Sequence, residues 1–310
     1  MAANNSVNGS ESSVYTISDQ VILVQVFVSV FLFINFLMIT TFFMKDFFYT
    51  TVRYILFATA LLSDCLFLVM TDILLIMSYL QYTIQMWLCL IMYIVLSLCN
   101  FVTPVTLTAM TLERYVAICM PLRHGQLCST HRALHCILVI HGLSCVPCIV
   151  YLSIFFAFTT HSLYTKSRLC SVEVFISHKW QGHLRAAISQ FYFLIMCIAI
   201  VFSYVKIMKV AKTASGENKK STWKGLRTVI LHAFQLLLCL IQLWCPLIEA
   251  AVLQINFRLY IDVRYFNYIT FILAPRCLNP LIYGVRDEKF FHALKCYALC
   301  GLFTKQSSFI

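Results

Sequence analysis

Apolar residues occupy this chain in long unbroken blocks rather than in alternation. Blocks long enough to cross a membrane as a helix, about 20 residues, lie at 21–44, 54–78, 88–119, 133–157, 186–210, 228–253 and 263–285. The two-residue alternation of a membrane barrel strand is absent. Only helices or closed barrels satisfy every backbone polar group inside lipid. The pattern therefore predicts an all-α membrane protein, a seven-transmembrane helix bundle. Residues 1–20 are a polar tail, 21–285 the bundle, and 286–310 a short amphipathic C-terminal helix and tail. The third block is overlong, so its last turns are expected to project beyond the membrane.

Composition removes the soluble alternatives. At 61% hydrophobic and 11% charged, a water-soluble fold could not hide its apolar surface. Charge then sets the orientation. With the N-terminus outside, sixteen Lys and Arg fall on the inner side, and only Lys166, Arg168, Lys179, Arg185, Arg258 and Arg264 fall on the outer side. That asymmetry follows the positive-inside rule and puts the C-terminus in the cytoplasm. The net charge of +11 then faces anionic membrane lipids and a cytoplasmic partner, and no nucleic acid is implied. The first twenty residues hold no Lys or Arg and no apolar core, unlike a cleaved signal peptide. They do hold two glycosylation acceptors, Asn4 and Asn8, which fits a tail outside the membrane.

Fifteen cysteines would imply a disulfide scaffold if they met an oxidising compartment. Most lie in spans or on the inner side, where thiols stay reduced. Cys89 and Cys170 alone reach the oxidising side, so one bridge between them is expected, stapling the second outer loop over the bundle. Cys296 and Cys300, beyond the seventh span, are acylation candidates.

Polar residues inside spans carry the candidate chemistry, because each costs energy unless partnered. Asn35, Asp64 and Asn279 lie in spans one, two and seven, and Arg276 stands one helical turn before Asn279. A buried ion pair between Asp64 and Arg276 is one expectation; an Arg276 that snorkels or binds backbone carbonyls is the other. Asn279-Pro280-Leu281-Ile282-Tyr283 and Trp244-Cys245-Pro246 each place a helix-bending proline beside a large polar or aromatic side chain, a candidate pair of hinges. Glu113-Arg114-Tyr115 closes a stretch free of Asp, Glu, Lys and Arg from Ile73 through Leu112. Charge at that edge marks a switch.

Together, Asn35, Asp64, Cys89, Glu113-Arg114-Tyr115, Trp244-Cys245-Pro246 and Asn279-Pro280-Leu281-Ile282-Tyr283 resemble the rhodopsin-like (class A) G-protein-coupled receptors, in order and in span, over nearly the whole chain. A narrower likeness is to odorant receptors of the fish and amphibian type. It rests on Met110–His124, Arg53-Tyr-Ile-Leu-Phe, Leu231-His-Ala-Phe-Gln, Pro275-Arg276 and Asn279–Asp287. The chain departs from the mammalian pattern in lacking the Lys-Ala-Phe-Ser-Thr-Cys run of span six, the tryptophan of span four and the proline of span five. It also has one cysteine in the second outer loop and Glu113 where aspartate is usual.

The resemblance implies a receptor in the plasma membrane of an olfactory sensory neuron. It would bind a small odorant between spans three, five, six and seven and activate a stimulatory heterotrimeric G protein, raising cyclic AMP. The cavity wall is expected from Leu96, Ser97, Asn100 and Phe101, then Ile188, Ser189 and Tyr192. Trp244, Leu247, Ile248 and Ala251 follow, and Ile269, Ile272 and Leu273 complete it. Glu249 and Asp72, near the outer ends of spans six and two, either receive a cationic ligand or simply face the wet mouth of the bundle. At the inner end Arg114 is expected to pair with Glu113 at rest and to rearrange with Tyr204 and Tyr283 when span six swings out. A receptor for a non-odorant ligand is the nearest alternative reading.

No cofactor and no metal is expected. His131 and His135 have a metal-ligand spacing, but no carboxylate lies near them in sequence. Neither a nucleophile elbow nor a phosphate loop is present, so the chain does not read as an enzyme. The internal symmetry of many transporters is also missing.

Overall fold

The computed structural model describes residues 4–44, 46–127, 130–158, 167–176, 178–214, 230, 233–284, 290, 292, 294 and 295. Within this set, six helices are long and apolar enough to cross a membrane: Asp19–Phe43, Val52–Tyr79, Met86–Cys119, His131–Phe158, Trp180–Val210 and Ala233–Leu253. The seventh runs from Phe257 to Gly284 in three consecutive pieces, a helix Phe257–Asn267, a π-helical stretch Tyr268–Leu273 and a helix Ala274–Gly284. Its break and its arginines make it less uniform than the other six, yet its length suffices to span. The protein is a bundle of seven membrane-spanning helices, called spans one to seven below.

Side chains arrange themselves as the bilayer demands. Span five shows lipid a stripe of Phe191, Leu194, Ile198, Val201 and Val205, all exposed and three or four residues apart. Span three behaves differently. Half of its apolar window is buried, against 22–33% in the other five apolar helices, which makes it the central post of the bundle. Its length, 34 residues, exceeds the roughly 20 that a span needs.

Three buried clusters fill the interior. One joins Met38, Phe57, Met110, Ala133, Leu236 and Leu240 at the Glu113 end of the bundle. Another gathers Ile84, Met92, Tyr93, Phe155 and Phe175 at the opposite end. The third ties spans one, two and seven through Val24, Val28, Leu68, Leu273 and Cys277.

Local sequence explains the boundaries. Asn256 accepts a hydrogen bond from the Arg258 amide at 2.8 Å, capping the start of span seven. Span six breaks at a 3-10 turn, Gln242–Trp244, directly before Pro246 in the first turn of the helix Cys245–Leu253. Proline has no N–H for the preceding turn, so the ladder must be interrupted there.

Between spans two and three, strand β1 (Thr83–Gln85) pairs antiparallel with strand β2 (Ser167–Leu169), with Ile84 opposite Arg168. Cys170 follows β2 immediately and Cys89 lies in the first turn of span three. The short ladder thus brings their Cα atoms to 5.5 Å, and the two form a disulfide.

Beyond span seven, Phe290 is 1% exposed and packs against Phe48 and Phe57 with centroids 5.2 and 5.7 Å apart. Phe290 of the C-terminal segment is thus docked on the bundle itself. Phe48, just after span one, and Phe57 of span two supply the receiving surface. Tyr297, Cys296, Cys300 and residues 286–289 lie outside the described residues.

Candidate functional site

At mid-bundle the ionic core is assembled from spans two, three and seven. Arg276 Nη1 donates to Asp64 Oδ1 at 2.9 Å, with the two side chains 1% and 0% exposed. Thr103 Oγ1 donates to the same oxygen at 2.7 Å, and Asn279 Nδ2 donates to Asp64 Oδ2 at 3.1 Å. The guanidinium carbon lies 3.6 Å from the centre of the Phe67 ring, so one face of the cation rests on a π surface. Each group satisfies part of the cost of burying the others, which is the condition for tolerating charge in a membrane interior. Asn35 is buried beside this level of the bundle, but neither of its amide atoms hydrogen-bonds with a described residue. It does not join the cluster by hydrogen bonds. Thr103 and Phe67 were not anticipated; a hydroxyl in span three and a ring in span two give no sequence signal that separates them from ordinary packing.

The Glu113 end is built differently from the expected Glu113–Arg114 lock. Glu113 is buried and its carboxylate meets two other partners: Arg53 Nε at 3.4 Å from Oε2, and His124 Nε2 at 3.3 Å from Oε1. Arg53 opens span two, and His124 sits in the helix Pro121–Leu127 that follows span three. The correction has a simple physical reason. Neighbouring residues on a helix point about 100° apart, so Glu113 turns toward span two while Arg114 follows another face. Arg114 is half-buried and close enough to Tyr204 of span five to act on its hydroxyl, which also shares a hydrogen bond with Thr111. The Tyr115 ring packs on Phe202, centroids 5.7 Å apart. Asn279 and Pro280 are buried, whereas the side chain of Tyr283 lies outside the described residues.

The expected cavity wall is brought together only in part. Asn100 of span three accepts a short hydrogen bond from Gln242 Nε2 of span six. Phe101 meets Tyr192 edge-on at 5.2 Å, and Tyr192 donates to the Leu143 carbonyl at 2.7 Å. Leu96, Ser97 and Ile188 are half-buried and Ser189 is buried. Trp244 is 43% exposed and stands edge-on to Phe193, so it marks the seam between spans five and six and does not sit buried in the centre. Leu247 is half-buried, while Ile248 and Ala251 are exposed. Ile269 and Leu273 pack into the cluster with Val24 and Leu68. Leu273 stands one turn before Arg276 and follows it toward span two; Ile272 is half-buried nearby. Ile269 and Leu273 therefore brace span seven against spans one and two, which takes them out of the expected wall.

At the mouth on the disulfide side, Gln25 Nε2 donates to Asp72 Oδ1 at 2.5 Å, and Asn267 Nδ2 donates to Glu249 Oε1 at 3.1 Å. Each acid thus has an amide partner. His135 Nδ1 lies 3.0 Å from the His131 carbonyl oxygen, and both histidines are exposed. Among the described residues no group of three or more His, Cys, Asp or Glu gathers to hold a metal.

Comparison with known proteins bears on the same features. The family model described as 7 transmembrane receptor (rhodopsin family) matches residues 16–283. Odorant receptor 131-2 of Danio rerio is 42% identical over 97% of this chain and 93% of its own length. Galanin receptor 2b of Danio rerio is 24% identical over 72% of this chain and 61% of its own. Growth hormone secretagogue receptor type 1 of Sus scrofa is 25% identical over 78% of this chain and 70% of its own. The matched range covers the ionic core, the Glu113 end and the disulfide, and the family is one of receptors, not enzymes. A seven-helix membrane bundle with a charged core, matched over these lengths, belongs to the rhodopsin family of seven-transmembrane receptors and, within it, to the fish-type odorant-receptor family.

Proposed function

We propose that this chain is an odorant receptor of the plasma membrane, which binds a small odorant within the bundle and activates a stimulatory heterotrimeric G protein, raising cyclic AMP. The observation that carries the reading is the 42% identity to a Danio rerio odorant receptor over nearly the full length of both chains. In this reading the disulfide end faces outside with Asn4 and Asn8 as glycosylated residues, although their side chains lie outside the described residues. The Glu113 end faces the cytoplasm, and the cell is an olfactory sensory neuron. The sixteen-to-six distribution of Lys and Arg supports that orientation.

Ligand enters from the disulfide end and settles against Leu96, Ser97, Asn100, Phe101, Ser189 and Tyr192, a mainly apolar wall with a few polar handles. The Asn100–Gln242 hydrogen bond then links the ligand to span six just before its break at Trp244 and Pro246. A ligand that binds better with span six displaced shifts the bundle toward that form. At the other end the shift frees Arg114, Tyr204 and Tyr283 to receive a helix of the G protein. Exposed Lys206, Lys209 and Lys212 suit that partner and anionic lipid.

The test is a cyclic-AMP response in cells that display the receptor at their surface, challenged with volatile organics, amino acids, amines and bile acids. Silence toward every class would overturn the stimulatory odorant reading. The galanin and growth hormone secretagogue receptors among its relatives favour one second reading, a peptide ligand, which the same cells would report.

A further inference from the structure

Arg185 lies in the second turn of span five, inside the membrane-length helix Trp180–Val210. Its guanidinium carbon is 6.0 Å from the centre of the Tyr93 ring of span three and 5.8 Å from the Tyr151 ring of span four. Two aromatic rings therefore flank the cation, which favours the charge without supplying an acceptor for its N–H groups. A guanidinium has five N–H donors. Among the described residues none of these donates to an acceptor, and no carboxylate lies at ion-pair distance. Every other described charge drawn into the bundle has a partner, as Arg276 has Asp64 and Arg53 has Glu113.

The surroundings are held in place. Phe175 of the second loop stacks on Tyr93, centroids 4.4 Å apart, and meets Phe155 at 5.2 Å. That loop is tied to span three by Cys89–Cys170, only a turn from Tyr93. The Tyr151 hydroxyl donates to the Arg185 carbonyl at 3.3 Å. Arg185 is thus a half-buried cation in an aromatic box, on the same face of span five as Ser189 and Tyr192. A planar anion offering two oxygens is the complement of those N–H donors.

We propose that Arg185 anchors the carboxylate of a small organic anion, held beside Tyr93 and Tyr151 at the disulfide end with its apolar part directed along Ser189 and Tyr192. This rests on the receptor reading only for the assumption that ligand enters at that end. Water competes poorly for a cation between aromatic walls, so a carboxylate gains a charge-assisted pair there that an amide or an amine cannot make.

The experiment is thermal unfolding of the purified full chain in lipid nanodiscs with octanoate, benzoate and L-leucine, against octanamide, benzamide and octylamine. At least one carboxylate is expected to raise the unfolding midpoint while its neutral counterpart does not. Arg185→Gln should weaken that effect by at least about tenfold, and Arg185→Lys should weaken it less. A response to octanoate or benzoate assigns a simple organic acid; a response to leucine alone assigns an amino acid. No shift from any carboxylate, equal shifts from acid and amide, or an Arg185→Gln protein that responds like the parent would each overturn the proposal. The comparison of acid with amide needs no variant and so survives a variant that folds poorly. A carboxylate shift in a receptor silent for cyclic AMP would sink the signalling reading alone. Signalling to neutral odorants that is indifferent to Arg185→Gln, with no carboxylate shift, would sink only the anion site.

Discussion

Arg276 and Asp64 meet at 2.9 Å in the middle of the bundle, from helices 212 residues apart in sequence. Both side chains are sealed from solvent, and the pair is completed by Thr103, Asn279 and the face of Phe67. Desolvation cancels much of the attraction in such a pair, so its worth lies less in net stability than in admitting one arrangement of spans two, three and seven.

Breaking one side is expected to be far costlier than removing both. Asp64→Asn leaves the Arg276 cation buried without its counter-charge and should destabilise the bundle by about 3–5 kcal/mol. Asp64→Asn with Arg276→Met should recover most of the loss. Thermal unfolding of purified protein measures both, and a double variant as unstable as the two single losses added would show that the pair acts independently at each site.

Glu113 is expected to restrain the resting state through Arg53 and His124. Glu113→Gln and Arg53→Gln should each raise ligand-free cyclic AMP, and the double change should add little to Glu113→Gln alone, which already removes both the Arg53 and the His124 contact. Lower basal activity in either variant would count against the restraint.

Arg114 has the opposite role. Arg114→Ala should abolish the cyclic-AMP response while ligand-induced thermal stabilisation persists. Loss of both readouts would mean that the residue serves folding rather than output.

The disulfide closes a loop with a sequence separation of 81, for which a chain-entropy account gives roughly 4–5 kcal/mol. Cys89→Ser, Cys170→Ser and the double change should therefore lower surface display equally. Surface labelling of the three variants side by side checks this, and an additive loss in the double variant would contradict it.

The Asn100–Gln242 bond joins positions 142 apart. Asn100→Leu and Gln242→Leu should each shift ligand sensitivity by an amount corresponding to about 1–2 kcal/mol. The effects should be non-additive in dose–response curves. Independent effects would mean that spans three and six are not coupled through this contact.

The amino-acid order by itself determined where the chain crosses the membrane, because apolar block length and proline position act locally. Span three's overrun, the break before Pro246 and the candidacy of Asp64, Arg276 and Glu113 all follow from charge or proline standing where lipid makes it costly. The π-helical stretch Tyr268–Leu273 and the exposed setting of Trp244 were not legible there. Nor was the choice of partners. Glu113 is adjacent to one arginine in sequence yet is held by another 60 positions away, and Leu273 faces spans one and two instead of a cavity. Which groups meet depends on how each helix is rotated against its neighbours, and that rotation is fixed by side-chain packing over the whole bundle. Tertiary structure alone decided it, and with it a feature no span-by-span pattern contains, an Arg185 set between two tyrosines from different helices with no ion-pair partner among the described residues.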